Sequence, residues 1–410
     1  MSVSEFAVNR GALGGTAVAA KSHEGARLLV LSSLLLVFAY AVLLTGLLLQ
    51  GYWLLNQNGL PIASDFVNVW AAGQLTLHGR PAAAYDWLLH KAAEVRAVGH
   101  DFENYYGWHY PPTFLFVAAL LAMLPFVPAS LLWLGLTMTG YLATVRVIIG
   151  ERSGVLLGLA FPAGLWNITA GQNGFLTASL MGGSLALMQR SPVLSGVCLG
   201  LLTYKPQFGL LFPVALAAGG RWRVVAAAAV TSTCLVLLSW MVFGSAPWLE
   251  FLEGLGKTSD VILTQGLAEF ARLQSVFGFV RTSGGSEMLA WWLQGGFALA
   301  STLVVWSLWR SDAAYELKAA GLGCAALLAT PYIYVYDLVA LAIPLAFLLR
   351  LAFRDKLRLV EVVGLAVVTL LILLFVYVKT QVGLLAILIV AALVAIRWVS
   401  SPVPASASTG

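Results

Sequence analysis

The chain has 410 residues, 60% of them hydrophobic and only 10% charged. Soluble domains carry about 25% charged residues, so a surface that faces water all round is excluded. The net charge of +5 does not point to nucleic acid, because the basic residues are scattered through short connections, a pattern that reads as membrane topology.

The first long apolar run, Leu28 to Leu49, holds 22 residues without a charge, and about 20 such residues cross a bilayer as a helix. A backbone in lipid must satisfy its own hydrogen bonds. The apolar runs are continuous rather than alternating, so helices are expected and a barrel is not. The predicted fold class is an all-α polytopic membrane protein. The first run is too long for a cleavable signal, and no small-residue cleavage site follows it closely. Residues 1–27 are therefore expected to form a cytoplasmic N-terminal segment. Further apolar segments fall near 112–124, 129–148, 154–169, 174–188, 192–204, 206–218, 224–243, 291–309, 319–331, 338–350, 359–377 and 382–398. Several are too short to cross unaided. Two long polar stretches separate them, 50–111 and 244–290. Residues 28–398 read as one transmembrane domain, and 399–410, rich in Ser, Ala and Pro, as a disordered tail. Cys198, Cys234 and Cys324 sit inside apolar segments and read as packing residues, with no disulfide or metal site suggested.

Lys and Arg in short loops set the orientation. With a cytoplasmic N-terminus, and with 112–124 dipping in and returning, the inside receives Arg10, Lys21, Arg27, Arg146, Arg152, Arg190, Arg221, Arg223, Arg310, Lys318, Arg350, Arg354, Lys356, Arg358 and Arg397. That is 15 of the 23 basic residues. If 112–124 crosses, every later basic cluster moves outside. The expected topology has about twelve crossings, both termini inside and both long loops outside.

On that topology the outer side carries most of the acids. Asp65 stands in Pro61-Ile-Ala-Ser-Asp-Phe-Val-Asn-Val-Trp70, shortly after the first span. A carboxylate held at the membrane surface against aromatic walls can act as a general base on a sugar or lipid hydroxyl. It can equally cap a helix beginning at Phe66. Further along the loop, Pro81 to Arg96 reads as an interfacial helix, with Tyr85, Leu88, Leu89, Ala92 and Val95 at helical spacing. Lys205 interrupts an apolar run just before Pro206 and has two readings: a lipid-phosphate ligand or a lysine snorkelling to the interface. His109 and Tyr110 open the next apolar run, and Gly171-Gln-Asn-Gly174 marks an outer turn. Lys257, Arg272 and Arg281 lie in the second long loop. No nucleotide-binding loop, His-rich metal site or Ser-His-Asp arrangement is present. The absence of Asp-x-Asp argues against metal-dependent use of a nucleotide sugar.

In order and spacing these features resemble glycosyltransferase family 87, the polyprenyl-phosphate-dependent mannosyltransferase-like proteins of the GT-C superfamily. The residues that carry the resemblance are Asp65-Phe66 with Trp70, Gly79-Arg-Pro with Tyr85-Asp86, Tyr110-Pro-Pro, Gly171-Gln172, Arg190 with Gly196, and Lys205-Pro206. It covers about residues 28–220 well and the remainder by hydropathy. The resemblance implies a GT-C-like bundle with its catalytic pocket at the outer, extracytoplasmic face of the cytoplasmic membrane. It implies Asp65 as the catalytic base and a polyprenyl-phosphate sugar as donor, with mannose first among the sugars and a lipid or glycan as acceptor. Lys205 is the first choice for the donor phosphate, with Arg281, Arg272 and Lys257 behind it. Asn68, Trp70, His109, Tyr110, Gln172, Asn173, Tyr334 and Asp337 are the candidates for the substrate pocket. No metal and no cofactor is implied, since a lipid phosphate is already an adequate leaving group. In the phosphatidylinositol-mannoside enzymes of the family a His-containing segment is expected late in the chain. Here that stretch reads Thr330-Pro-Tyr-Ile-Tyr-Val-Tyr-Asp337, which leaves the acceptor and the sugar open. Two other classes compete with this reading: a transporter or flippase of lipid-linked sugars, and a non-catalytic family member. A transporter would show repeated halves, and none is visible.

Overall fold

The computed structural model describes residues 27–266, 269–378 and 380–400. Most of the expected N-terminal segment and nearly all of the tail lie outside them. The described residues are helical, with two isolated bridges, Trp53 with Leu55 and Leu55 with Pro61, as their only β-type pairing. The helices are α1 (Arg27–Leu49), α2 (Phe66–Leu77), α3 (Trp87–Val98), α4 (Leu115–Ala122), α5 (Phe126–Ile149), α6 (Ser153–Ala160), α7 (Pro162–Ala170), α8 (Gly174–Leu187) and α9 (Pro192–Leu201). They continue as α10 (Phe212–Ala218), α11 (Trp222–Phe243), α12 (Ala246–Ser259), α13 (Val276–Thr282), α14 (Glu287–Arg310), α15 (Tyr315–Ala329), α16 (Ala342–Asp355), α17 (Leu359–Leu373) and α18 (Val382–Val399).

Seven helices are long and apolar enough to cross a membrane, α16 counting together with the 3-10 turn before it. The pair α6 and α7, bent by 61° at Phe161–Pro162, would make an eighth. Proline cannot continue the α6 ladder but is preorganised for a first turn, so one apolar run becomes two helices. Burial orders the layers. Only 11% of α1 is buried within the protein, against 89% of the span Val335–Asp355. The latter is the central helix, and α1, α11, α14 and α17 turn large apolar side chains outward, as lipid-facing helices do.

The remaining apolar stretches, Pro112–Ala122, Gly174–Leu187, Pro192–Tyr204 and Pro206–Ala218, are shorter. At 1.5 Å per residue, 13 residues reach about 20 Å, well short of a hydrocarbon core of about 30 Å. Their ends meet at one place: α7 gives way to α8 at Gly171–Asn173, and the runs ending at Tyr204 and starting at Pro206 meet at Lys205. Short helices ending together leave a recess, which the first and second long loops cover.

The segment 112–124 does not traverse the bundle. Tyr110, at its start, bonds Asn173. At its end Leu124 accepts from Trp70, and Phe126 packs on Phe66, next to Asp65. Both ends therefore lie at the recess, as the charge pattern requires. The basic residues gather at the opposite end, where Arg350 donates to the Ile148 carbonyl and pairs with Glu316, and Tyr315 donates to the Leu185 carbonyl.

The expected interfacial helix 81–96 differs in two ways. It starts as a 3-10 turn, Pro81–Tyr85, and α3 begins only after Asp86, whose carboxylate caps it by accepting from Leu88 and Leu89 N–H. Its buried face is not the apolar stripe but His90, Ala93, Glu94 and Val98, while Leu88 and Ala92 point outward. Of the stripe, Tyr85 is held inside by the Tyr110 carbonyl and the Phe251 ring, and Leu88, Leu89 and Ala92 are left exposed.

Candidate active site

Asp65 opens α2, yet its side chain accepts no bond from the first turn, so the carboxylate is not used as a cap. It faces the α7–α8 turn instead. Oδ2 accepts from Gln172 Nε2 at 2.9 Å, and the Asp65 N–H donates to the Ala170 carbonyl at 3.0 Å. Oδ1 accepts no hydrogen bond among the described residues. Two glycines permit this closure. Gly171 has φ +70°, and a Cβ there would stand 2.9 Å from Ser64 Oγ; a Cβ at Gly174 would stand 2.3 Å from the Tyr336 carbonyl oxygen. Neither position accepts a side chain without moving a wall of the site.

Desolvation raises the Asp65 carboxyl from 3.8 to about 6. The Gln172 bond and the charges of Lys205 and Arg272 act in the opposite direction, and the Asp337 charge adds to the rise. A base near 6 is ionised at neutral pH and still basic enough to take a proton from a hydroxyl under attack.

Lys205 sits between the 3-10 turns Leu202–Tyr204 and Pro206–Phe208 and is 7% exposed. A snorkelling lysine would carry its ammonium to water. Here Nζ turns into the protein, donates to Asp337 Oδ1 at 2.8 Å, and lies 5.6 Å from the Tyr336 ring and 5.8 Å from Phe208. Asp337 has both oxygens engaged: Oδ2 accepts from the Tyr334 N–H at 3.1 Å, capping the turn that follows, while Oδ1 holds the lysine.

The other predicted residues divide. Gln172 touches Asp65, and Tyr334 stacks on Tyr336 with centroids 5.4 Å apart. Asn173 Nδ2 donates to the Tyr110 hydroxyl at 2.8 Å, and the Asn173 carbonyl accepts from Tyr204, so Tyr110 and Asn173 brace the wall behind Gln172. Arg272 is exposed and pairs with Glu269 at 3.2 Å, yet its charge reaches Asp65. His109 bonds Thr258 at 3.0 Å and ties the first loop to α12, where Lys257 is exposed. Three candidates stand apart. Trp70 donates to the Leu124 carbonyl and pins α2 to α4, and Asn68 is buried with Oδ1 unpartnered. Arg281 is folded over the Phe270 ring at 4.5 Å and bonds the carbonyls of Gly285 and Thr264.

Tyr336, in the tyrosine-rich stretch before Asp337, lies against Lys205, and one residue escaped the sequence reading, Tyr106, whose hydroxyl feels the Asp65 charge. Both sit in aromatic-rich runs, where an ordinary interfacial belt gives the same pattern. Tyr106 is held from below, its N–H donating to Glu94 Oε1 at 3.1 Å. Glu94 and its neighbour His90 are both fully buried. Desolvation lowers His90 to about 3 and raises Glu94 to about 8, so their 3.5 Å contact joins two neutral groups at pH 7.

Fold and site together define a polytopic all-α membrane protein with a carboxylate and a paired lysine recessed at one end. The model of glycosyltransferase family 87 matches residues 108–331, more than half of the chain, and the chain belongs to that family: it is a membrane glycosyltransferase. The match includes Tyr110, Gln172, Lys205 and Arg272 and leaves Asp65 and Asp337 on either side of it. It starts later and runs further toward the C-terminus than the expected 28–220. No curated protein and no solved structure matches the chain.

Proposed function

We propose that the protein transfers a hexose, mannose first among the candidates, from polyprenyl phosphate to a lipid or glycan acceptor at the outer face of the cytoplasmic membrane. The observation that carries this reading is the placement of Asp65. Its carboxylate is not used as a cap and keeps one oxygen unbonded, and the charges of Lys205 and Arg272 reach it. Asp65 takes the proton of the acceptor hydroxyl as that oxygen attacks the anomeric carbon. The bond from that carbon to the phosphate oxygen breaks, and its electron pair leaves with the polyprenyl phosphate. Lys205, together with Arg272, whose charge also reaches Asp65, stabilises the charge that develops there. Single displacement inverts the anomeric centre, so a β-linked donor gives an α-glycoside. The basic clusters at the far end of the bundle support an outward-facing site.

The test is transfer from radiolabelled polyprenyl-phosphate mannose to the lipids of membranes that contain the protein. Label in a glycolipid that is missing from membranes without the protein is the expected result. No transfer from this or any other polyprenyl-phosphate sugar would remove the reading. The same assay has a predicted pH dependence: kcat/KM should rise about ten-fold per pH unit up to about 6 and level off above. Gln172→Ala removes a donor that favours the ionised carboxylate, so the acid limb should move to higher pH. An unmoved limb would detach it from Asp65.

A further inference from the structure

A cavity of about 240 Å³ lies beside Asp65. Its walls come from the exit of α1 (Tyr52), the loop before Asp65 (Ser64), Tyr106, the first turns of α5 (Val127 and Ser130) and the end of α7 (Thr169). Lys205, Asp337, Gln172 and Tyr336 do not line it, so Asp65 forms a wall shared by the cavity and the charged recess. Ser130 is 3% exposed, makes no side-chain hydrogen bond among the described residues, and is not among the sealed polar atoms. Its hydroxyl therefore opens onto the cavity. Buried polar groups are normally partnered, and an unpartnered one on a cavity wall is satisfied by what enters. Ser64 Oγ likewise has no side-chain hydrogen bond among the described residues, and the Tyr106 hydroxyl on the same wall has the Ala63 carbonyl at 3.4 Å and the Asn104 side chain as its partners. The remaining walls are largely apolar. Tyr52, on the cavity wall just beyond the lipid-facing α1, is exposed.

We infer that this cavity is the acceptor subsite and takes the single ring of a membrane-anchored sugar or cyclic polyol, a reading that rests on the transferase activity proposed above. The size admits one ring and no chain of sugars. The ring enters past Tyr52, beside the lipid-facing α1, with its lipid tail left outside. Ser130, Ser64 and Tyr106 hold ring hydroxyls, and the attacking hydroxyl meets the unbonded Oδ1 of Asp65. The attacking hydroxyl, deprotonated by Asp65, and the leaving phosphate oxygen then stand on opposite faces of the anomeric carbon, as displacement with inversion needs. The Asp65 wall is thin because Gly171 lets the end of α7 reach the Ser64 loop.

Val127→Phe fills the cavity from the first turn of α5 without touching the recess. Transfer from polyprenyl-phosphate mannose to membrane lipid extract should fall at least ten-fold, while the thermal shift caused by polyprenyl phosphate stays unchanged, which also controls for folding. Ser130→Ala should raise the lipid concentration for half-saturation several-fold with kcat nearly kept. Binding is read without turnover by Ser130→Cys, labelled with a small methanethiosulfonate against the parent chain. Octyl mannoside should protect this cysteine and octanol should not. Protection in a protein that transfers nothing would keep the subsite and remove the transferase reading. Unchanged saturation curves in Val127→Phe and Ser130→Ala, with no protection by octyl mannoside, would overturn the subsite whether or not the wild type transfers sugar.

Discussion

Asp65→Asn should lower sugar transfer roughly a thousand-fold, the range of a lost general base, and raise thermal stability at the same time. Burial lifts the carboxyl from 3.8 to about 6, so the folded protein holds this proton more tightly than the unfolded chain does. The stability linked to Asp65 is then full below about pH 4. It falls as pH rises through about 6 and stays reduced above, when a desolvated carboxylate must be kept charged. The gap corresponds to about 3 kcal/mol at neutral pH. Asparagine keeps the shape and a bond to Gln172 without the charge. The variant should therefore melt about 3–4 °C higher at pH 7.5, and the gain should vanish near pH 4. A structural aspartate behaves the other way, because its loss removes a stabilising ion. Transfer at the wild-type rate, or a lower melting temperature at pH 7.5, would remove Asp65 as the base. Purified protein, a donor assay and two melting curves decide it.

Most of the fold was legible because lipid imposes hard rules. Continuous apolar runs bounded by Arg and Lys gave the helices, and the failure of 112–124 to cross followed from where Arg146, Arg152 and the later basic clusters must lie. The shorter apolar helices, α8, α9, α10 and the broken α6–α7 pair, were visible as runs too short to cross a bilayer unaided. Their shortness marks the recess, since a helix that stops early leaves room above its end. Within the site Asp65, Gln172, Lys205 and Asp337 could be picked out because each is a polar side chain that an apolar neighbourhood must account for. The partners of these side chains could not be read. Lys205 and Asp337 are 132 positions apart, and no local pattern pairs them. Trp70 and Arg281 show the opposite limit. Their residue types suit a sugar pocket and a phosphate site, but the chain uses them to close its own loops, on the Leu124 carbonyl and on Phe270. The cavity beside Asp65 is assembled from separated pieces of chain and leaves no mark in any of them.

Lys205 and Asp337 carry the second large effect, and the order of substitution matters. Lys205→Met alone leaves the Asp337 carboxylate, 2% exposed, without its cation. Breaking a buried pair this way costs about 3–5 kcal/mol, so this variant should express poorly and say little about donor binding. Adding Asp337→Asn removes the stranded charge and should restore expression and melting temperature to near wild type. The double variant then isolates the phosphate contact. A charge-assisted bond contributes about 1.5–3 kcal/mol, so polyprenyl phosphate should bind roughly ten- to a hundred-fold more weakly, whereas Lys257→Ala, on the exposed face of α12, should stay within about two-fold. Asp337→Asn alone should act in the opposite sense and tighten polyprenyl phosphate several-fold, because the free protein no longer supplies Lys205 with a competing anion. Opposite signs from the two partners of one ion pair are not expected of a purely structural bridge, for which both substitutions weaken binding through the same loss of order. Wild-type affinity in the double variant would make the pair a brace between the Lys205 turn and the start of the central helix, and would pass the donor phosphate to Arg272.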